Sequence, residues 1–171
     1  MGEFMSEARA TIRRHPFFSS WSEDELDALL ARCTRRVFNV GEPLWSAGDP
    51  GDSAFLLLSG RLERTRTVRP DGHRAEQYTE PGALLSLSSL VAGFEHTSSG
   101  SPLDRVEALE LKREDFRALF DEEHPAAYRL VDAIAENLVS EMRDTNRRVH
   151  KVFGQPAETL RVLRRRLRHD D

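Results

Sequence analysis

Between Arg36 and Leu111 the chain is cut into short pieces by turn formers: Gly41, Pro43, Gly48, Pro50-Gly51, Gly60, Pro70-Asp71-Gly72 and Pro81-Gly82. Helices of ordinary length do not fit between signals this close, whereas short strands do. The pieces are rich in Val, Phe, Leu and Trp. Phe55 to Leu58 is a continuous apolar run and predicts a strand buried on both faces, while Leu62 to Val68 is interleaved with charge and predicts a partly exposed one. Arg69-Pro70-Asp71-Gly72-His73 predicts a hairpin turn, with Pro presetting φ and Gly supplying a positive φ. Val106, Ala108 and Leu111 end the β portion. Strands packed this densely along a sequence predict a barrel or jelly roll, which protects sheet edges.

Helical patterns bracket this region. Ala8 to Arg14 is polar and helical, and His15-Pro16-Phe17-Phe18 interrupts it. Ser22 followed by Glu25 reads as a capping box, opening a helix whose apolar positions Leu26, Leu29, Leu30 and Cys33 recur at helical spacing and whose end falls near Thr34. After Lys112, Phe116, Leu119 and Phe120 share a face, Pro125 restarts the chain, and a long helix runs to about Val152. Val131, Ile134, Leu138, Met142, Thr145, Val149 and Val152 follow spacings of three and four, the stripe of a helix that pairs along one side. Packing on its own barrel would cover the first half equally well. The second half, with Asp144, Asn146, Arg147, Arg148 and His150 around the stripe, has too little domain left to cover it, so a homodimer through this helix is expected.

The expected fold is α+β, mainly β: a jelly-roll β-barrel flanked by N-terminal helices and a long C-terminal helix. Its divisions are N-terminal helices over 5–35, the barrel over 36–111, C-terminal helices with the dimerisation seam over 112–153, and a basic tail over 154–171. Met1-Gly2-Glu3-Phe4 precedes a second methionine and reads as a cloning remnant, set aside from the fold.

With 171 residues, 39% hydrophobic and 32% charged, the chain suits one globular domain with at most an appendage. Its apolar runs are too short to span a membrane, and nothing resembling a signal peptide opens it. Cys33 is the single cysteine, so no intramolecular disulfide can form, and a reducing, cytoplasmic setting is expected. Residues 147–171 hold 8 Lys and Arg against 3 Asp and Glu, leaving 17 against 26 for the rest. The body is therefore acidic and the tail basic. Arg161, Arg164, Arg165, Arg166 and Arg168 could meet nucleic acid, an anionic membrane or an acidic partner, or form a solvated helix end.

Catalytic signatures are missing from the sequence. There is no H-E-x-x-H, no G-x-x-x-x-G-K phosphate loop and no G-x-S-x-G. His15 and His124 each precede a proline and His73 sits beside a turn, so all three read as surface or packing residues. His96 next to Glu95 has no companion nucleophile or metal-like spacing. No catalytic residue, metal or cofactor is expected.

The order of an N-terminal helix, a turn-rich β region and a long helix resembles the cyclic nucleotide-binding domain family, that of catabolite activator proteins and protein kinase A regulatory subunits. The residues carrying the resemblance are His15-Pro16-Phe17-Phe18 with Trp21 to Leu26, Val37 to Trp45, Ala47 to Glu63 and Glu110 to Phe116. The resemblance implies a ligand cassette after Pro81-Gly82, in which a Gly-Glu pair binds the ribose and an arginine about ten residues later pairs with the cyclic phosphate. Aligned on Gly82 and Leu90, the Gly-Glu pair becomes Ser86-Leu87, and the arginine falls on Thr97 with Ser98 after it. Both charged contacts are missing, which makes cyclic nucleotide binding doubtful and self-occupation of the site the expected state. Ser86, Ser88, Ser89, Thr97, Ser98 and Ser99 concentrate hydroxyls that could hydrogen-bond a different polar ligand, with Arg105 or His96 supplying a cation from a shifted loop, but they read first as a solvated loop. By the same resemblance Met142 and Arg143 of the long helix would face a base.

Relatives that regulate transcription carry a helix-turn-helix after the long helix, and the 18 residues beyond Phe153 are too few for a complete DNA-binding domain. The resulting expectation is a freestanding regulatory or adaptor module, dimeric and acting on an unknown protein partner. A cyclic nucleotide sensor whose C-terminal helix responds to ligand is the competing expectation.

Overall fold

Residues 2–68, 72–78, 80–91 and 93–153 are described by the computed structural model. Helix α1 (Gly2–Ile12) leads through a 3-10 turn at Pro16–Phe18 to α2 (Glu23–Ala31). Seven strands follow: β1 (Cys33–Phe38), β2 (Ser53–Ser59), β3 (Leu62–Val68), β4 (Gly72–Tyr78), β5 (Leu84–Leu85), β6 (Ser99–Pro102) and β7 (Val106–Lys112). A second 3-10 turn, Leu87–Leu90, sits between β5 and β6, and helices α3 (Arg113–Asp121) and α4 (Pro125–Phe153) end the described chain. The molecule divides into two units, Met1–Asp132 and Ala133–Asp171, so α4 begins in the first and its described part ends in the second at Phe153. No described helix is long and apolar enough to cross a membrane.

The strands form two antiparallel sheets, ordered β1-β7-β2-β5 and β4-β3-β6. They are jelly-roll sheets that face each other, and they do not close into the barrel that dense strands led us to expect. The reason is local: β5 has two paired residues and β6 four, too short to carry hydrogen bonding around both edges. Isolated bridges, Trp45 to Gly100 and Pro50 to Glu95, pair the intervening loops instead.

Period-two alternation sorts β2 and β7 into two buried faces. Phe55, Leu57, Val106 and Ala108 join Phe38, Trp45 and Leu62 in the core between the sheets. Leu56, Leu109 and Leu111 lie on the opposite face and are almost fully buried, where α1 packs on β2 and α3 on β7. Burial on both faces is why Phe55 to Leu58 reads as an unbroken apolar run. Leu62 to Val68 forms its predicted strand, and β4 pairs with it down to Val68 and Gly72; the turn residues 69–71 between them lie outside the described residues.

Several sequence expectations move. Cys33 is not on the helix: α2 ends at Ala31, and Cys33 opens β1 opposite Leu111. A small apolar residue followed by Thr34, Arg35, Arg36 and Val37 suits a pleated edge better than another helical turn. Burial, with the Asp115 carboxylate nearby, pushes the Cys33 thiol up to about 12. The first helix begins at Gly2 rather than Ala8, so Gly2 to Phe4 belong to the fold and are not a detached remnant. The Phe4 ring lies 4.4 Å beneath the Arg35 guanidinium, an anchoring contact. Phe120 does not share the burial of Phe116 and Leu119: it is 43% exposed, and its ring meets that of Tyr128 at a 60° tilt with 5.7 Å between centroids.

The Ser22 cap is a true capping box. The Ser22 hydroxyl accepts from the Glu25 N–H at 3.1 Å, and the Glu25 carboxylate accepts from the Ser22 N–H at 2.6 Å. Glu25 is buried, and its carboxylate also accepts from Arg129 Nε at 3.2 Å, tying α2 to the start of α4. Burial raises the Glu25 pKa, but the Ser22 N–H and Arg129 outweigh it and hold the group below its ordinary 4.5. A depressed carboxyl contributes stability that is present above the unfolded value and lost as pH falls through the folded one. Glu25→Gln should therefore cost about 1 kcal/mol near neutral pH. Thermal unfolding of both proteins as a function of pH should show that difference shrinking on acidification below the ordinary carboxylate range.

Candidate functional site

The segment from Pro81 to Gly100 is built by hydrogen bonds to β2 before any ligand is considered. Gly82 donates to the Leu57 carbonyl at 2.7 Å, and Leu57 donates to the Ala83 carbonyl at 3.0 Å. Gly82 has φ +89°, and a Cβ there would lie 2.5 Å from His15 Cβ, so the close approach of the 3-10 turn region at Pro16 requires glycine. Leu85 then pairs with Phe55 and enters the core.

Ser86 follows with φ 58°, the left-handed region that a residue with a side chain rarely adopts. This turns the chain into Leu87–Leu90, where Leu87, Ser89 and Leu90 are buried. The Ser86 and Ser89 hydroxyls are 2.9 Å apart, and Ser86 Oγ lies 3.2 Å from His96 Nδ1. His96 is held from both sides by backbone: its N–H donates to the Asp49 carbonyl at 2.8 Å, and its carbonyl accepts from the Gly48 N–H at 2.9 Å. Burial lowers the His96 pKa, the Asp49 and Asp52 carboxylates raise it, and the net result is below the ordinary value. A neutral ring at neutral pH can accept from the Ser86 hydroxyl.

The remaining hydroxyls are also engaged. Thr97 Oγ1 accepts from the Arg66 guanidinium at 3.3 Å, Ser98 Oγ from Trp45 Nε1 at 3.5 Å, and Ser99 Oγ from the Ala47 N–H at 2.9 Å. Trp45 stacks on Phe55, with 5.9 Å between ring centroids, and covers Gly100, whose Cβ would lie 2.5 Å from the indole. Arg113, the first residue of α3, donates from Nε to the Ser89 carbonyl at 2.8 Å. The serine-rich stretch is thus not the solvated loop expected: Ser88 is exposed, but Ser86, Ser89, Ser98 and Ser99 are bonded within the domain. Buried hydroxyls demand partners, and glycines at 51, 82 and 100 let neighbouring segments come close enough to supply them.

Of the residues expected at the site, Ser86, Leu87, Thr97 and Ser98 fall in this one segment. Met142 and Arg143 lie in the second unit, both exposed. Arg105 is exposed on the β6–β7 connection, so the cation near Thr97 comes from neither Arg105 nor His96. It comes from Arg66 on β3. Along the seam, Ile134 is buried and Val131 half-buried, whereas Leu138 is 44%, Met142 65% and Val149 48% exposed. Thr145 turns its hydroxyl back to the Glu141 carbonyl at 2.9 Å. The side chain of Val152 and the basic tail, including Arg161, Arg164, Arg165, Arg166 and Arg168, lie outside the described residues. Among those described, no cluster of three or more His, Cys, Asp or Glu could hold a metal ion.

The profile of the cyclic nucleotide-binding domain matches residues 35–123, which run from β1 past the end of α3 and take in the whole cassette. The chain belongs to that family. It is 30% identical over 127 residues to the cyclic AMP receptor protein of Thermus thermophilus, covering 74% of this chain and 59% of that protein. The crystal structure of the Thermus thermophilus catabolite activator protein superposes with a TM-score of 0.67 at 27% identity, covering 80% of this chain and 62% of that one. A cyclic nucleotide-binding domain from Methylobacillus flagellatus shares the fold at a TM-score of 0.69 and 18% identity, covering 86% and 83%. This domain therefore spans less than two thirds of the two Thermus proteins.

Three residues of this cyclic nucleotide-binding domain escaped the sequence reading: Arg66, Trp45 and Arg113. A signal existed for Arg66. Leu62, Arg64 and Arg66 alternate on β3, so burial of Leu62 already assigns both arginines to the inward side. For Arg113 no local pattern announces that a helix-opening residue will reach a carbonyl 24 positions earlier.

Proposed function

We propose that this domain is a non-enzymatic regulatory or adaptor module that does not take cyclic nucleotides through the family's charged contacts and acts through protein–protein contact. The observation that carries the reading is the pair Leu87 and Thr97. Leu87, at the position of the family's glutamate, is 7% exposed within its 3-10 turn. Thr97, at the position of its arginine, is already bonded to Arg66. A cyclic phosphate placed there forfeits a charge-assisted bond of about 1.5–3 kcal/mol, which corresponds to about ten- to hundredfold in affinity. A ribose hydroxyl would meet an apolar side chain.

Homodimerisation through α4 belongs to the same proposal. Its support is the exposure of Leu138, Val139, Met142 and Val149 on a helix whose stripe recurs at pairing intervals. Calorimetric titration of the protein with cAMP and cyclic GMP, at concentrations reaching the millimolar range, tests the ligand part. The expected result is no saturable heat. Micromolar binding would instead establish a nucleotide sensor.

A further inference from the structure

Two aromatic rings stand open at the junction of α3 and α4. The buried Phe116 ring has its centroid 6.4 Å from that of Phe120, which in turn lies 5.7 Å from that of Tyr128. Phe120 and Tyr128 are 43% and 46% exposed, and their planes meet at 60°. Such a corner presents ring faces, which carry the negative lobes of the π quadrupole.

The charge beside these rings is negative. Phe120 directly precedes Asp121, Glu122 and Glu123, and Asp132 stands one turn after Tyr128 on α4, all four exposed. A helix C-terminus favours cations, yet the last turn of α3 holds no basic residue. Arg32 pairs with Glu122 at 2.5 Å, while the nearby His124 and Arg129 are engaged with Asp24 and Glu25 of α2. Asp121, Glu123 and Asp132 form no ion pair among the described residues, although Arg117 stands four positions before Asp121 on the same helix. A purely apolar partner would cover the rings but strip water from the carboxylates, at a cost in free energy. A lysine ammonium is compact and strongly hydrated, whereas a guanidinium is planar, weakly hydrated, stacks on ring faces and pairs with carboxylates through several N–H groups. Charge and shape together select arginine.

We propose that Phe120 and Tyr128, with Asp121 and Asp132, form a docking surface for an arginine side chain presented by a partner protein. The guanidinium stacks on the exposed rings and donates to the flanking carboxylates, and its methylene stem covers the remaining apolar edge. This surface shares no residue with the cassette. It deepens the reading above, on which it rests, that the domain acts through protein–protein contact.

Amide NMR titration of the full chain with a blocked hexapeptide of alternating leucine and arginine tests this, with the glutamine-for-arginine peptide as control. The expected result is saturable shifts confined to residues 120–124 and 128–132, with the arginine peptide at least about tenfold tighter. Tyr128→Leu keeps apolar bulk and removes the ring, and the double variant Asp121→Asn with Asp132→Asn removes charge. Each should weaken binding about threefold or more. Thermal unfolding confirms that the variants are folded, and the double variant changes only exposed side chains. Shifts that do not saturate, equal binding of the glutamine peptide, or binding that these variants leave unchanged would overturn the surface. Micromolar cAMP binding in the calorimetry above would refute the proposed function, whereas a silent peptide titration would refute only this docking surface.

Discussion

Replacing Leu87 by Glu together with Thr97 by Arg should raise the cAMP affinity of this domain by about tenfold to hundredfold or more. On the proposed reading, the two substitutions supply the charged contacts that Leu87 and Thr97 do not. The new carboxylate can accept from a ribose hydroxyl, and the new guanidinium can pair with the cyclic phosphate. The arginine should supply the larger share, because it answers a charge and the glutamate answers a neutral hydroxyl. The unliganded double variant should also be less stable. Leu87 is buried, so a carboxylate there loses packing and carries a desolvation penalty, and Thr97→Arg sets a second cation beside Arg66. Saturating cAMP should recover much of that lost stability by binding the folded state alone. Calorimetry and thermal unfolding with and without ligand read both effects; a folded double variant with no gain would show that positions 87 and 97 do not face the ligand.

Gly60→Ala should be the most destabilising conservative substitution in the β region, costing about 3 kcal/mol and lowering Tm by about 10 °C. Gly60 has φ +91°, and a Cβ there would lie 2.4 Å from the Arg105 carbonyl oxygen and 2.9 Å from Val106 Cα. These are backbone atoms at the start of β7 and cannot swing aside as a side chain would. The same corner is fixed by Asp104, whose carboxylate accepts from the Arg61 N–H and Nε, both at 2.7 Å, and by Leu103 donating to the Arg61 carbonyl at 2.8 Å. Gly41 is the natural control, since its φ is also +91° but nothing lies within 4 Å of an added Cβ. Gly41→Ala should show only the backbone strain, about 1 kcal/mol. Denaturant unfolding of the two variants separates strain from collision; equal losses would contradict the crowding at Gly60.

What the sequence made legible follows from how local each signal is. The Ser22 and Glu25 cap involves residues three apart, and the structure has it as read. The unbroken run Phe55 to Leu58 and the interleaved Leu62 to Val68 report their own burial, and both strands appear where expected. The spacing of Cys33 from Leu26, Leu29 and Leu30 fits a helix, whereas its actual place in β1 comes from pairing with Leu111, 78 positions away. Closure failed as an expectation for a similar reason. Turn spacing reveals that strands are short, not how few residues of Leu84–Leu85 and Ser99–Pro102 will pair. In the cassette, residue types showed that Leu87 and Thr97 lack charge. They could not show that Ser86, Ser89 and His96 would bond to one another, since this depends on the left-handed turn at Ser86 and on Gly51 admitting Ser89 to within 2.7 Å of where a Cβ would stand.

The most direct test of the proposed self-occupation of the cassette is an amide NMR titration of the unaltered protein with cAMP, following Ser86 to Leu90 and His96 to Ser99. The expected result is that these resonances stay in place, or drift without saturating, up to millimolar cAMP. Saturable shifts confined to these residues at micromolar cAMP would contradict it, and would mean that a nucleotide displaces the bonds among Ser86, Ser89, His96, Thr97 and Arg66.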